Sequence, residues 1–141
     1  MSEPAQPVGT LIDSNVLIDV LTADPVWSSW SAQAADHAAA SGPMVINPII
    51  YADVSVQFDR IEDVEALLTP AEFIRAAIPW NAAFLAGQCV VQYRRRGGVK
   101  HSPLPDFFIG AHAAVSGLRL LTRDAKRYRT YVPTVELICP P

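Results

Sequence analysis

Short apolar runs alternate with helix-starting segments along this chain, and that alternation constrains its fold more than any other feature. Thr10-Leu11-Ile12 ends at Asp13 and reads as a buried strand. Met44-Val45-Ile46 reads as a second, and Phe73 to Ile78 as a third at a sheet edge. Leu118 to Thr122 and Val135 to Ile138 complete the set. Strands separated by helices predict an α/β fold, a three-layer α/β/α sandwich around a central, mostly parallel sheet with right-handed crossovers.

The intervening segments carry helix signals. Asn15 is placed to cap a helix through Val16-Leu17-Ile18 to Leu21. Asp24-Pro25 opens a second helix, which stops at Gly42-Pro43. Asn47-Pro48 opens a third, carrying Ile49, Ile50, Val54 and Phe58, and Glu62 to Leu68 forms a fourth. From Trp80 the apolar positions Trp80, Phe84 and Val91, flanked by Leu85 and Cys89, predict a buried face on a helix ending at Arg94–Arg96 and Gly97-Gly98. Pro105-Asp106 begins a helix that Gly117 ends, and Asp124 to Thr130 is a short one.

With 141 residues the chain suits one domain, 10–141, behind a loose N-terminal arm, 1–9, that contains two prolines. Half the residues are apolar and 18% are charged, which excludes a disordered chain. A mean hydropathy of +0.20 predicts an exposed apolar patch that meets a partner or a second copy. The net charge of −3 hides a split: residues 1–72 carry −10 and residues 73–141 carry +7. That asymmetry hints at nucleic-acid or phosphate chemistry. The start of the chain has no signal-peptide pattern. The longest uncharged stretch, Ala76 to Tyr93, is broken by Pro79, Asn81, Gln88 and Gln92 and falls short of a membrane span. Cys89 and Cys139 form no CxxC or Cys/His cluster, so both read as small core residues of a cytoplasmic protein.

Four acids sit where acids rarely do. Asp13 lies between Leu11-Ile12 and Val16-Leu17-Ile18, and Asp53 lies among Ile49, Ile50, Tyr51, Val54 and Val56. Asp106 adjoins Leu104 and Phe107-Phe108-Ile109, and Asp124 follows Leu120-Leu121. Acids are seldom buried without a partner. In open parallel sheets, sites form beyond the carboxyl ends of the strands. If the first and fourth strands are neighbours, Asp13, Asp106 and Asp124 converge there, and Asp53 faces the same cleft. Clustered carboxylates repel unless a cation joins them. Hard oxygen donors without Cys or paired His favour Mg²⁺ or Mn²⁺, ions that hydrolyse phosphodiesters. The ordinary alternatives are a turn or cap role for Asp13 and N-cap roles for Asp106 and Asp124, with Asp59 or Glu62 competing with Asp53. Asp19, Asp24 and Asp36 read as helix-surface or cap acids.

Together these positions resemble the PIN domain, especially the small VapC-like toxin ribonucleases. Leu11-Ile12-Asp13-Ser14-Asn15-Val16-Leu17-Ile18-Asp19 is similar to the family's opening segment. Leu104-Pro105-Asp106-Phe107-Phe108-Ile109-Gly110-Ala111 resembles its third acidic motif, and Leu120-Leu121-Thr122-Arg123-Asp124 its fourth. Asn47-Pro48-Ile49-Ile50-Tyr51-Ala52-Asp53-Val54 stands at the second, where the family usually has Glu. The resemblance covers the chain from Thr10. It implies that Asp13, Asp53, Asp106 and Asp124 bind one or two divalent ions, with Ser14, Asn15 and Thr122 orienting ligands or water. It also implies an antitoxin partner and a homodimer.

Arg123, Lys126 and Arg127, together with Arg129, are placed to guide RNA to the ions. Arg94–Arg96 and Lys100 suit helix-dipole compensation or phosphate contact. Tyr128 and Tyr131 read as packing ahead of base stacking, Trp27 and Trp30 as packing or interface residues ahead of a base platform, and His37, His101 and His112 show no ligand spacing. The leading reading is a divalent-metal-dependent ribonuclease, the toxin of a toxin–antitoxin pair. A non-catalytic PIN scaffold binding RNA or protein is the alternative, motivated by Asp53. A phosphatase of the haloacid dehalogenase type ranks lower, because Asn15 stands where its motif needs a second Asp.

Overall fold

A computed structural model of the chain describes residues 8–99 and 103–141. Most of the expected arm (1–7), together with Lys100 and His101, lies outside the described residues. The strands are β1 (Thr10–Ile12), β2 (Met44–Ile46), β3 (Phe73–Arg75), β4 (Arg119–Leu121) and β5 (Leu137–Ile138). They form one sheet in the order β3-β2-β1-β4-β5, and every pairing is parallel. The helices are α1 (Ser14–Leu21), α2 (Ser28–Ser41), α3 (Pro48–Ser55), α4 (Ile61–Leu67), α5 (Trp80–Arg95), α6 (Leu104–Ser116) and α7 (Ala125–Tyr131). This is the α/β/α architecture that the alternation of strands and helices predicts.

The central strands are apolar because both their faces are covered. Leu11, Ile12, Leu120 and Leu121 are wholly buried. β1 and β4 are neighbours, with Leu11 opposite Leu120 and Ile12 opposite Leu121. The order reverses at β1: β2 and β3 lie on one side of it, β4 and β5 on the other. A crevice at the carboxyl ends of the strands forms at such a switch point.

Several element ends follow local chemistry. Asn47 caps α3 by accepting the Ile50 amide at 2.9 Å, with Pro48 at the first helical position. Gly117 ends α6 in the left-handed conformation (φ 64°), which only glycine adopts without strain. α2 starts at Ser28, later than Asp24-Pro25 suggested; Asp24 instead accepts the Val26 and Trp27 amides in the turn before it.

Three expectations need correction. The Trp80, Phe84 and Val91 face of α5 is not the buried one: Trp80 is 93% and Phe84 71% exposed. The core row is Ala82, Ala86 and Cys89, because small side chains let α5 pack closely along α6. Asp19 is not a surface acid. It is 2% exposed, and its Oδ2 accepts from Arg123 Nε at 2.7 Å and Ser31 Oγ at 2.9 Å. This partly buried ion pair ties the loop after β4 to α1 and α2. Asn15 does not cap α1; that position belongs to Asp13, and the Asn15 amide reaches Thr122 at 3.2 Å instead.

α6 and α7 meet at Gly110. A Cβ built there would lie 2.9 Å from Tyr128 Cδ1 and 3.0 Å from Val132 Cγ2. Gly110→Ala is therefore expected to cost about 1–3 kcal/mol by overpacking, read as a lower urea midpoint at unchanged m-value.

Candidate active site

Asp13 directly follows β1, and its backbone amide donates to Leu121 O at 2.9 Å. This bond extends the β1–β4 ladder by one step and fixes the residue at the sheet's carboxyl edge. Although it stands at the N-cap of α1, its side chain makes no capping bond. The carboxylate is 3% exposed and accepts from other elements. Thr122 Oγ1 and Tyr128 Oη each donate to its Oδ2 at 2.9 Å, and Asn15 Nδ2 stands 3.5 Å from the same oxygen. No Lys or Arg pairs with it among the described residues. Burial pushes its pKa up to about 6, against the lowering by the Tyr128 and Thr122 hydroxyls, while the Asp106 charge adds to the rise.

Asp53 reaches the same place from α3. Ser14 Oγ lies 3.0 Å from Asp53 Oδ2 and 3.4 Å from Asp13 Oδ1, and its single proton serves one of them at a time. Asp106 sits in the first turn of α6 and is paired with Arg127 of α7. Burial raises the Asp106 pKa; the Arg127 guanidinium opposes this, and the Asp124 and Asp53 charges add to the rise. Those fields put all four acids in one electrostatic neighbourhood. Asp124 stands at the N-cap of α7 with no side-chain capping bond, and its amide donates to Thr122 Oγ1 at 3.1 Å. The ordinary cap explanations for Asp13, Asp106 and Asp124 are thus not realised in their side chains.

Of the polar helpers, Ser14, Asn15 and Thr122 all lie in this network. Asn15 Oδ1 also accepts the Arg123 amide at 3.4 Å. The basic residues are arranged differently from the expectation. Arg123 is turned away to Asp19 and stands 5.7 Å from the Trp27 ring centre. Arg127 is held by Asp106. Lys126 is exposed on an open groove with Asp124, Arg127, Thr130 and Tyr131. Arg96 lies 5.5 Å over Tyr131, which packs with Tyr93 and Phe107.

The sequence suggests packing or base stacking for Tyr128, yet its hydroxyl contacts Asp13. Burial and the neighbouring carboxylates raise its pKa far above the ordinary range, so it stays a donor. No local signal marks it, since the two residues are 115 positions apart. His112, buried, has its Nδ1 3.0 Å from Asn47 Nδ2. Burial lowers its pKa, which keeps the ring neutral and lets Nδ1 accept from the amide.

Among the described residues no three His, Cys, Asp or Glu side chains are grouped closely enough to enclose a metal ion. The donors nevertheless fit a hard divalent cation in chemistry. All are carboxylate oxygens, the most buried one has no cationic partner among the described residues, and Mg²⁺ keeps several waters while taking only one or two carboxylates.

The PIN domain family model matches residues 10–133. The chain belongs to the PIN domain family. No curated protein matches the sequence. Among solved structures, this PIN domain is similar to a chain of the VapBC2 complex of Rickettsia felis bound to a promoter DNA fragment. The TM-score is 0.71 at 14% identity, over 94% of this chain and 99% of that one. It is also similar to VapBC-1 from nontypeable Haemophilus influenzae (TM-score 0.70, 14% identity, 93% and 97% covered). A toxin–antitoxin complex from Klebsiella pneumoniae matches at 24% identity, with a TM-score of 0.63 over 84% and 89%. At these identities the likeness establishes the shared fold.

The raised Asp13 pKa has a signed consequence for the PIN domain. The folded form binds the Asp13 proton more tightly than the unfolded chain, so metal-free protein gains stability as pH falls through about 6. Asp13→Asn removes the effect. Moving from pH 7.5 to pH 5 in chelator is expected to stabilise the wild type by roughly 1 kcal/mol relative to that variant. Comparing the two proteins cancels His112, which acts in the opposite direction. Parallel unfolding curves at the two pH values would contradict the assignment.

Proposed function

We propose that this protein is a divalent-metal-dependent ribonuclease that hydrolyses RNA phosphodiester bonds and serves as the toxin of a toxin–antitoxin pair. The observation that carries this reading is the convergence of acids at the carboxyl edge of a PIN-family sheet. Asp13 and Asp53 share Ser14, while Asp106 feels both Asp53 and Asp124. Asp13, Asp53, Asp106 and Asp124 would hold one or two Mg²⁺ or Mn²⁺ ions. When bound, such an ion activates water for attack on phosphorus and offsets charge on the phosphate oxygens.

The chain's own residues set up that chemistry. Thr122 and Asn15 hold the Asp13 carboxylate from the β4 side and from α1, and Ser14 links it to Asp53. Asp106 and Asp124 bring negative charge from α6 and α7. Lys126 offers a phosphate contact at the groove beside Asp124, and Arg127, paired with Asp106, would offer a second if that pair opened. Arg123 serves the site chiefly by anchoring the loop that carries Asp124.

The solved relatives are toxin–antitoxin complexes, which supports an antitoxin partner for this chain. The exposed Trp80 and Phe84 suit a homodimer contact. No helix among the described residues is long and apolar enough to cross a membrane. A cytoplasmic location accords with two free thiols, one of them buried.

Purified protein is expected to cleave single-stranded RNA with Mg²⁺ or Mn²⁺, and Asp13→Asn to reduce the rate at least 100-fold, followed on a labelled oligonucleotide. Equal cleavage by the variant would refute the site. The scaffold alternative draws on Asp53, whose shorter side chain already bonds Ser14. If neither the wild type nor Asp53→Glu cleaves RNA with metal, the scaffold reading replaces the nuclease. Restored cleavage in Asp53→Glu would locate the defect in the missing methylene.

A further inference from the structure

The two oxygens of the Asp13 carboxylate are treated unequally. Oδ2 has Thr122 Oγ1 at 2.9 Å, Tyr128 Oη at 2.9 Å and Asn15 Nδ2 at 3.5 Å. Among the described residues the one side-chain donor near Oδ1 is Ser14 Oγ at 3.4 Å, a hydroxyl that lies nearer Asp53, while the Ser14 backbone amide also bonds the carboxylate. A carboxylate oxygen offers about two lone-pair sites. Oδ2 is therefore filled by protein donors, and Oδ1 is the oxygen left for a ligand.

Tyr128 comes from a separate element and is fixed independently of the other donors. Its ring is 3% exposed and sits in the notch left by Gly110, beside Val132. A phenylalanine would fill that notch equally well, so packing accounts for the ring and not for the hydroxyl. Thr122 also accepts from Asn15 and from the Asp124 amide, which ties it to the adjoining loop. Tyr128 thus brings to Oδ2 a donor held by the α6–α7 packing, outside that loop.

We propose that Tyr128 is a positioning residue that holds Asp13 through Oδ2 so that Oδ1 is presented to the divalent cation. The inference rests on the metal-dependent reading above, and Tyr128 touches no reacting atom in it.

The test is calorimetric titration of full-length protein with Mn²⁺ alone, without RNA. Tyr128→Phe is expected to weaken Mn²⁺ binding about 10-fold or more, the usual loss when a group orienting a metal ligand is removed. Val132→Ala loosens the same packing but leaves the hydroxyl, so it is expected to lower the melting temperature while keeping wild-type affinity. Wild-type affinity in Tyr128→Phe would overturn the proposal while leaving the metal reading intact. Equal weakening in Val132→Ala would overturn it too, by making the effect one of packing. A wild type that binds no Mn²⁺ would instead overturn the metal reading, and this inference with it.

Discussion

The parallel pairing of β1 with β4 is the constraint on which the rest depends. It sets Ile12 against Leu121 and carries the ladder one bond further, from the Asp13 amide to the Leu121 carbonyl. One residue beyond each strand, an acid and a hydroxyl then face one another, and Thr122 donates to Asp13. The apolar side chains of both strands drive the pairing, because burying them offsets the chain entropy of joining segments more than a hundred residues apart. A polar site at the edge is a consequence of where that apolar run stops.

Burial of Asp13 is costly and is only partly offset by hydroxyl donors. Neutral donors weaken the penalty on a buried charge without abolishing it, which is why its pKa stays high. Asp19 illustrates the other solution. It is buried as deeply, but Arg123 and Ser31 satisfy it, and it serves to anchor the loop between Thr122 and Asp124. The contrast separates an acid whose counter-ion lies in the fold from one that has no counter-ion among the described residues. Asp106 lies between these cases, paired with an Arg127 that is itself partly exposed.

The family resemblance of the acidic motifs is matched by the family assignment over residues 10–133 and by the shared fold of the solved toxin–antitoxin complexes. The split of charge along the sequence takes on a more specific form in three dimensions. Two of the basic residues assigned to RNA are engaged by acids of the same chain, Arg123 by Asp19 and Arg127 by Asp106. Part of the positive second half is thus internal counter-charge, and Lys126 is the one of the three that stands exposed.

The strands, most helix boundaries and the elements that carry or adjoin Asp13, Asp53, Asp106 and Asp124 were legible in the sequence because they rest on short-range rules. Three-residue apolar runs, Asn47-Pro48 and Gly117 act within a few residues of themselves. The buried face of α5 was not legible. Periodicity favours large residues such as Trp80 and Phe84, whereas close packing on α6 selects Ala82 and Ala86. Nor could local pattern reveal that Asp19 is neutralised by Arg123, or that Tyr128 reaches Asp13 across 115 positions. Those contacts exist only after the layers pack. The sequence by itself determined that Asp13 and Asp124 stand just beyond buried strands; the tertiary structure decided which acids find a counter-ion inside the fold, because hydrogen-bond and charge satisfaction depend on neighbours that only the folded chain brings together.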